Sequence, residues 1–221
     1  MRYKSERVIH IFDCDGVILN SNFLKLGALR SALAYVGGHD SLIDWAEEDF
    51  RLNFGRTRAQ HFESFGAHAS ANSYSLTSES LVEAKEKYSE IVLDLYRKCD
   101  VIDKTINYIS KIPRDHLVYV VSASEQDELR HIIPTKLGLI TPNNIFGGPT
   151  PKTDNIRCIL QNYENYSAFL YGDSVQDAKA AIENNVKFFG LTEFSAAPEE
   201  LIKFCDENTL ECFSHCLEAV I

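Results

Sequence analysis

Val8, Ile9, Ile11 and Phe12 form a short apolar run that stops at Asp13, and a run of that length ending in a polar turn predicts a buried strand. The shape recurs at Leu117 to Val121 before Ser122, at Ala168 to Tyr171 before Gly172-Asp173, and at Val186 to Phe189 before Gly190. Helical spacing fills the intervals, as in Ile156, Ile159, Leu160, Tyr163 and in Ala178, Ala181, Ile182. Strands alternating with helices predict an α/β fold: a parallel sheet with helices on both faces. Polar groups at the carboxyl ends of such strands converge on one crevice, and Asp13, Ser122 and Asp173 each occupy that kind of position.

The alternation breaks between residues 21 and 98. Leu26, Leu29, Leu33 and Val36 form a helical stripe, with Ser21 and Asn22 as candidate caps and Gly37-Gly38 closing it. Leu81, Ala84, Tyr88, Ile91, Val92 and Leu95 form a longer one, opened by Ser80 with Glu83 three residues on. No strand pattern is visible there. The segment 21–98 therefore reads as a helical insertion into a core made of 1–20 and 99–221, with hinges near Asn20 and Asp100. No internal repeat or low-complexity tract interrupts this plan.

At 221 residues, 45% of them hydrophobic and 24% charged, the chain has the balance of a globular protein with one core plus an insertion. The opening apolar run is too short for a signal peptide, and no stretch approaches the length of a membrane helix, which predicts a cytoplasmic protein. The six cysteines are then expected as reduced thiols. Cys205, Cys212 and Cys216 lack the paired spacing of a zinc site. A net charge of −10 argues against nucleic acid and anionic membranes as partners, and means that an anionic substrate needs a local cation.

Phosphate monoesters resist anionic nucleophiles, so their cleavage calls for a cation, a nucleophile and a proton source in one place. In Asp13-Cys14-Asp15-Gly16 the two carboxylates stand two apart on a strand end and face the same way, and Gly16 permits a sharp exit. Standing alone, such a turn is usually structural. Gly172-Asp173-Ser174-Val175-Gln176-Asp177 follows another strand and opens a helix; its two acids beside Asp13 would make a hard-oxygen site suited to Mg²⁺. Asp177 is equally explained as a first-turn acid favoured by the helix dipole. Ser122-Ala123-Ser124 offers a hydroxyl and backbone N–H groups to phosphoryl oxygens, or a helix cap. Lys152 is placed to neutralise phosphoryl charge, although a loop lysine is commonly just solvated.

Taken in order, Asp13-Cys14-Asp15-Gly16-Val17, Ser122, Lys152 and Gly172-Asp173-Ser174-x-x-Asp177 resemble the haloacid dehalogenase superfamily of phosphatases, over residues 8 to 190. The resemblance implies a Rossmann-like core, an α-helical cap and a set of roles. Asp13 would be the nucleophile that forms an aspartyl phosphate, and Asp15 the acid that protonates the leaving oxygen and then the base that activates water. Asp13, the backbone carbonyl of Asp15, and Asp173 would hold Mg²⁺ with support from Asp177, while Ser122 and Lys152 would bind phosphoryl oxygens.

The presence of Asp15 disfavours dehalogenation, which has no oxygen leaving group to protonate. Gly55-Arg56-Thr57-Arg58 is similar to the specificity loop of the β-phosphoglucomutase-like branch, which nominates Arg58 for substrate contact within a basic cluster of Arg51, Arg56 and Arg58. Three departures stand out: Asn20 replaces an Asp common after the first motif, Lys25 replaces the mutase's histidine, and proline precedes Lys152 instead of following it. Lys25 becomes a second candidate contact for a substrate carboxylate or phosphate. The leading expectation is a phosphatase of a small phosphorylated metabolite such as a sugar phosphate. A phosphomutase is second, and a regulatory protein that kept the fold without turnover is third.

Overall fold

The computed structural model describes residues 7–163 and 165–215. β1 (Val8–Phe12), β2 (Leu117–Glu125), β3 (Ile145–Gly148), β4 (Ser167–Gly172), β5 (Lys187–Leu191) and β6 (Glu211–Phe213) form one sheet in the order β3-β2-β1-β4-β5-β6, and all their pairings are parallel. Because β1 lies between β2 and β4, the chain winds outward in both directions from the β1–β4 pair, which is where such sheets open a crevice.

Successive side chains of a strand point to opposite faces, and here both faces are buried. Ile9, Ile11, Val121, Leu170 and Phe188 pack on one side against Ile156 and Ile159 of α7 (Lys152–Leu160), Ala178 and Ala181 of α8 (Val175–Glu183) and Leu201 of α9 (Pro198–Asn208). Phe12, Val120, Tyr171 and Phe189 pack on the other side, with Ile109 of α5 (Asp103–Ile109) and Leu129, Ile132 and Ile133 of α6 (Gln126–Leu137).

The segment between β1 and α5 folds as four helices: α1 (Asn22–Tyr35), α2 (Asp40–Leu52), α3 (Arg58–Ala71) and α4 (Ser78–Lys98). α4 buries Ala84, Tyr88, Val92 and Tyr96, a row four residues apart that lies along one face of the helix. Thr77, not Ser80, caps this helix by accepting from the Ser80 N–H. Where the chain enters and leaves the helical segment, Asn20 N–H donates to the Asp100 carbonyl at 3.0 Å, so the two crossings are fastened to each other.

Candidate active site

The parallel register fixes what meets what. Phe12 pairs with Tyr171 and with Val120, so the residues one and two steps beyond them come out side by side, Asp13 and Asp173 at the tips of β1 and β4 and Ser122 on the neighbouring β2. Asp13 N–H donates to the Tyr171 carbonyl at 2.9 Å, which holds the first carboxylate in line with the sheet. Gly16 then turns the chain with φ +76°, and a Cβ there would lie 2.3 Å from both Asn22 Nδ2 and Asp173 Oδ2; geometry and space each demand glycine.

Asp13, Asp173 and Asp177 each offer a carboxylate oxygen within 4.8 Å of the others, and all three are buried. Lys152, the first residue of α7, sets its Nζ 2.8 Å from Asp13 Oδ1 in an ion pair without straight hydrogen-bond geometry, and also contacts Asp177. One ammonium does not balance three acids. Burial pushes the Asp13 carboxyl up to about 7 in spite of Lys152, with Asp177 and Asp15 adding to the rise. Burial and the neighbouring Asp13 push Asp173 well above the carboxylate range too. Such a pocket of oxygen donors with excess negative charge fits a hard divalent cation.

Asp177 also closes the start of α8. Its Oδ2 accepts from the Ser174 N–H at 3.1 Å and from the Ser174 hydroxyl at 2.6 Å, while its own N–H donates to Ser174 Oγ. The capping role and the place in the acid cluster coexist in one side chain. Asn22 serves the cluster from α1: its Nδ2 donates to Asp173 Oδ2 at 2.6 Å.

The side chain of Asp15 turns away from that trio. It accepts from Ser21 Oγ at 2.6 Å, Lys25 Nζ at 3.0 Å, Tyr96 Oη at 2.8 Å and Ser124 Oγ at 2.8 Å. Burial alone would raise this carboxyl, but Lys25 and the hydroxyls of Ser21 and Ser124 bring it below the ordinary range. Lys25 is thus held by Asp15 and by Ser124 Oγ at 2.9 Å, where the sequence suggested a substrate contact. Ser21 and Asn22, candidate caps of α1, spend their side chains on Asp15 and Asp173 instead, and α1 has no side-chain cap.

Ser122 lies within β2 rather than in a turn after it, and its Oγ accepts from the Ser124 N–H at 3.1 Å beside the crevice. Arg58 also lines the cavity, yet its guanidinium grips Glu128 of α6 with contacts of 2.9 and 2.8 Å and donates to Ser89 Oγ at 2.6 Å. The other arginines of the predicted basic cluster also face acids: Arg51 pairs with Glu48 and Glu200, while Arg56, which lines the cavity with Arg58, lies 3.8 Å from Asp49. Tyr96 and His61 are missing from the sequence reading, and Tyr88 enters it only as part of the α4 stripe; Tyr96 was within reach, because it continues the row of fours through Ala84, Tyr88 and Val92.

Asp13, Asp15, Ser122 and Asp173 thus line one cavity, which Phe50, Phe54 and Arg58 of the helical segment also line. The described residues contain no helix long and apolar enough to cross a membrane. Cys205 and Cys212 are free thiols away from the cavity, and Cys216 lies outside the described residues.

A Rossmann-like sheet with a helical insertion and acids gathered at its strand tips defines an α/β protein whose candidate site lies between the sheet and the insertion. The family model described as "Haloacid dehalogenase-like hydrolase" matches residues 10–191, and the chain belongs to that family of hydrolases. Among solved structures, it is similar to a predicted phosphatase from Clostridium acetobutylicum (15% identity, 97% of each chain, TM-score 0.73). It is also similar to a hydrolase from Pseudomonas syringae (15% identity, 97% of each chain, TM-score 0.71). A haloacid dehalogenase-like protein from Agrobacterium tumefaciens shares 23% identity over 96% of each chain, with a TM-score of 0.67. No curated protein matches the chain by sequence.

Proposed function

We propose that the chain is a Mg²⁺-dependent phosphatase of a small phosphorylated metabolite, working through a phosphoryl group carried on Asp13. The observation that carries this reading is the placement of Asp13 beside Lys152, Asp173 and Asp177, with Asp15 two residues along the same turn. Asp13 and Asp173, with Asp177 in support and the backbone carbonyl of Asp15, would hold the cation. When bound, it neutralises the acid cluster and draws negative charge off the phosphoryl oxygens.

The rest falls to side chains. Lys152 and Ser122 bind phosphoryl oxygens and keep the phosphorus in line with an Asp13 oxygen. As the Asp13 O–P bond forms, the bond from phosphorus to the ester oxygen breaks, and that oxygen takes a proton from Asp15. Water then attacks the phosphoryl group, gives a proton back to Asp15, and releases Asp13 with inorganic phosphate. Asp15 must be protonated for the first half and ionised for the second. Lys25, Ser21 and Ser124 favour the ionised form, and the negative charge of an arriving phosphate favours the protonated one.

In this reading residues 21–98 act as the cap and 1–20 with 99–221 as the core, and closure shields the phosphoryl-enzyme from bulk solvent. A cavity between sheet and insertion suits a compact metabolite better than protein or nucleic acid, and the working compartment would be the cytoplasm. The experiment is a screen of phosphorylated metabolites with Mg²⁺. Release of inorganic phosphate supports a phosphatase, an isomeric phosphate ester a mutase. Folded protein without turnover of any ester defeats both.

A further inference from the structure

One wall of the cavity is not used by the phosphoryl chemistry. His61 of α3 and Tyr88 of α4 line it, each only 2% exposed. Neither Tyr88 Oη nor His61 Nδ1 has a hydrogen-bond partner. An unpaired buried polar atom destabilises the fold, and phenylalanine in either place would avoid it. Two such atoms on residues that line one cavity are groups whose partner arrives with a ligand.

Both rings are fixed before any ligand comes. His61 stacks on Phe50 with centroids 4.1 Å apart, Phe50 meets Tyr88 edge-on at 6.0 Å, and the Arg58 guanidinium lies 5.3 Å from the Tyr88 ring centre. Both groups are uncharged. Burial, helped by Lys25 and Arg56, brings the His61 pKa down to about 3, and burial raises that of Tyr88. A neutral imidazole and a phenol each offer donor and acceptor capacity, which suits hydroxyl groups.

The cations near this wall are largely spoken for. Lys25 serves Asp15, and Arg58 makes a two-point pair with Glu128. A second anionic group on the substrate would have to break one of those pairs and strand a buried or half-buried carboxylate. Arg56 is the exception, held loosely at 3.8 Å from Asp49 and partly exposed.

We propose that His61 and Tyr88 read the leaving group of the substrate, and that this group is an uncharged chain or ring bearing hydroxyls, as in a polyol or sugar phosphate, rather than one bearing a carboxylate. The inference rests on the phosphatase reading and narrows it to one substrate class. Phe50 and Phe54 supply the apolar face against which the carbon skeleton lies, and the two neutral polar groups meet its hydroxyls.

The test compares kcat/KM of the full chain with Mg²⁺ on two matched trios. One is glycerol 3-phosphate, propyl phosphate and 3-phosphoglycerate; the other is sorbitol 6-phosphate, hexyl phosphate and 6-phosphogluconate. The neutral hydroxylated ester should lead both companions by about tenfold or more in at least one trio, the worth of one hydrogen bond that would otherwise be lost. Tyr88→Phe and His61→Phe should each shrink the lead over the hydroxyl-free ester by about tenfold, while Tm holds or rises because an unpaired buried atom is gone. A Tyr88 that serves only packing would lower Tm and scale all esters alike. Preference for the carboxylate ester in both trios, equal rates on all esters, or an unaltered ranking in both variants overturns this inference and leaves the phosphatase reading standing. Hydrolysis of no ester overturns both.

Discussion

Tyr96, in the last turn of α4, donates its phenol to Asp15, 2.8 Å from one carboxylate oxygen and 3.1 Å from the other. Lys25 reaches the same carboxylate from the first turn of α1. The two ends of the helical insertion therefore meet on the acid that the proposed reaction needs, so the docking of the insert and the charge state of Asp15 are linked.

Replacing Lys25 tests that link. Asp15 is held below the usual carboxylate range, so the stability it gives is present above the unfolded value of 3.8 and is lost as pH falls through the folded one. Lys25→Met removes the cation that lowers it. The alkaline limb of the kcat/KM profile, which reports the half-reaction that needs Asp15 protonated, should move to higher pH, and urea unfolding at neutral pH should lose about 3–5 kcal/mol because a buried carboxylate is left without its cation. Tyr96→Phe, which leaves Lys25 in place, should cost about 1 kcal/mol. An unmoved alkaline limb in Lys25→Met contradicts the link.

Divalent cation binding should appear in stability as well as in rate. Mg²⁺ at about 100 times its Kd should raise the unfolding free energy by about 2.7 kcal/mol. The Asp13 carboxyl, raised to about 7 by burial, must give up its proton to serve as a ligand, so the gain should grow as pH increases through neutrality. Asp173→Asn should reduce it. A Tm that is the same in Mg²⁺ and in chelator counts against the site.

His10, in the middle of β1, lies 3.1 Å from Tyr171 Oη through Nδ1 and 3.1 Å from His116 Nδ1 through Nε2. Burial, with His116 adding to it, lowers its pKa from 6.5 to about 4. The unfolded chain therefore takes up a proton that the folded chain refuses, and stability falls as pH drops through that window, by about 2 kcal/mol after allowance for partial solvent screening. His10→Gln should shrink the loss of urea midpoint on going from neutral to acid pH. An equal loss in both proteins would show that His10 plays no part.

Much of the sheet was legible because its central strands are apolar runs buried on both faces: β1 spans Val8–Phe12 as the pattern predicts, and β4 and β5 differ only at their ends. β2 runs past the predicted stop at Val121, since Ser122, Ala123 and Ser124 keep strand geometry through a register shift that periodicity does not reveal. β3, with two glycines in Ile145–Gly148, and β6, three residues at the sheet edge, are too short and too weakly apolar to register as strands. The insertion was read as two stripes but has four helices, because α3 buries His61 and Arg58 along with its phenylalanines and so blurs its apolar face.

At the site, side chains at strand tips could be anticipated from position, whereas those arriving from the helices could not. Lys25 and Arg58 are expected from the sequence to contact substrate, and in the structure they answer carboxylates 10 and 70 residues away. Which acid a base will find depends on how the insertion docks on the core, and no local spacing encodes that.

The proposed reaction requires that Asp13 carry the phosphoryl group. Protein quenched in acid during turnover with Mg²⁺ and an active ester, then digested and mapped by mass spectrometry, should show one phosphoryl group on the peptide containing Asp13, and Asp13→Asn should show neither the label nor turnover while remaining folded. A phosphoryl group found on another residue, or turnover that persists in Asp13→Asn, would contradict it.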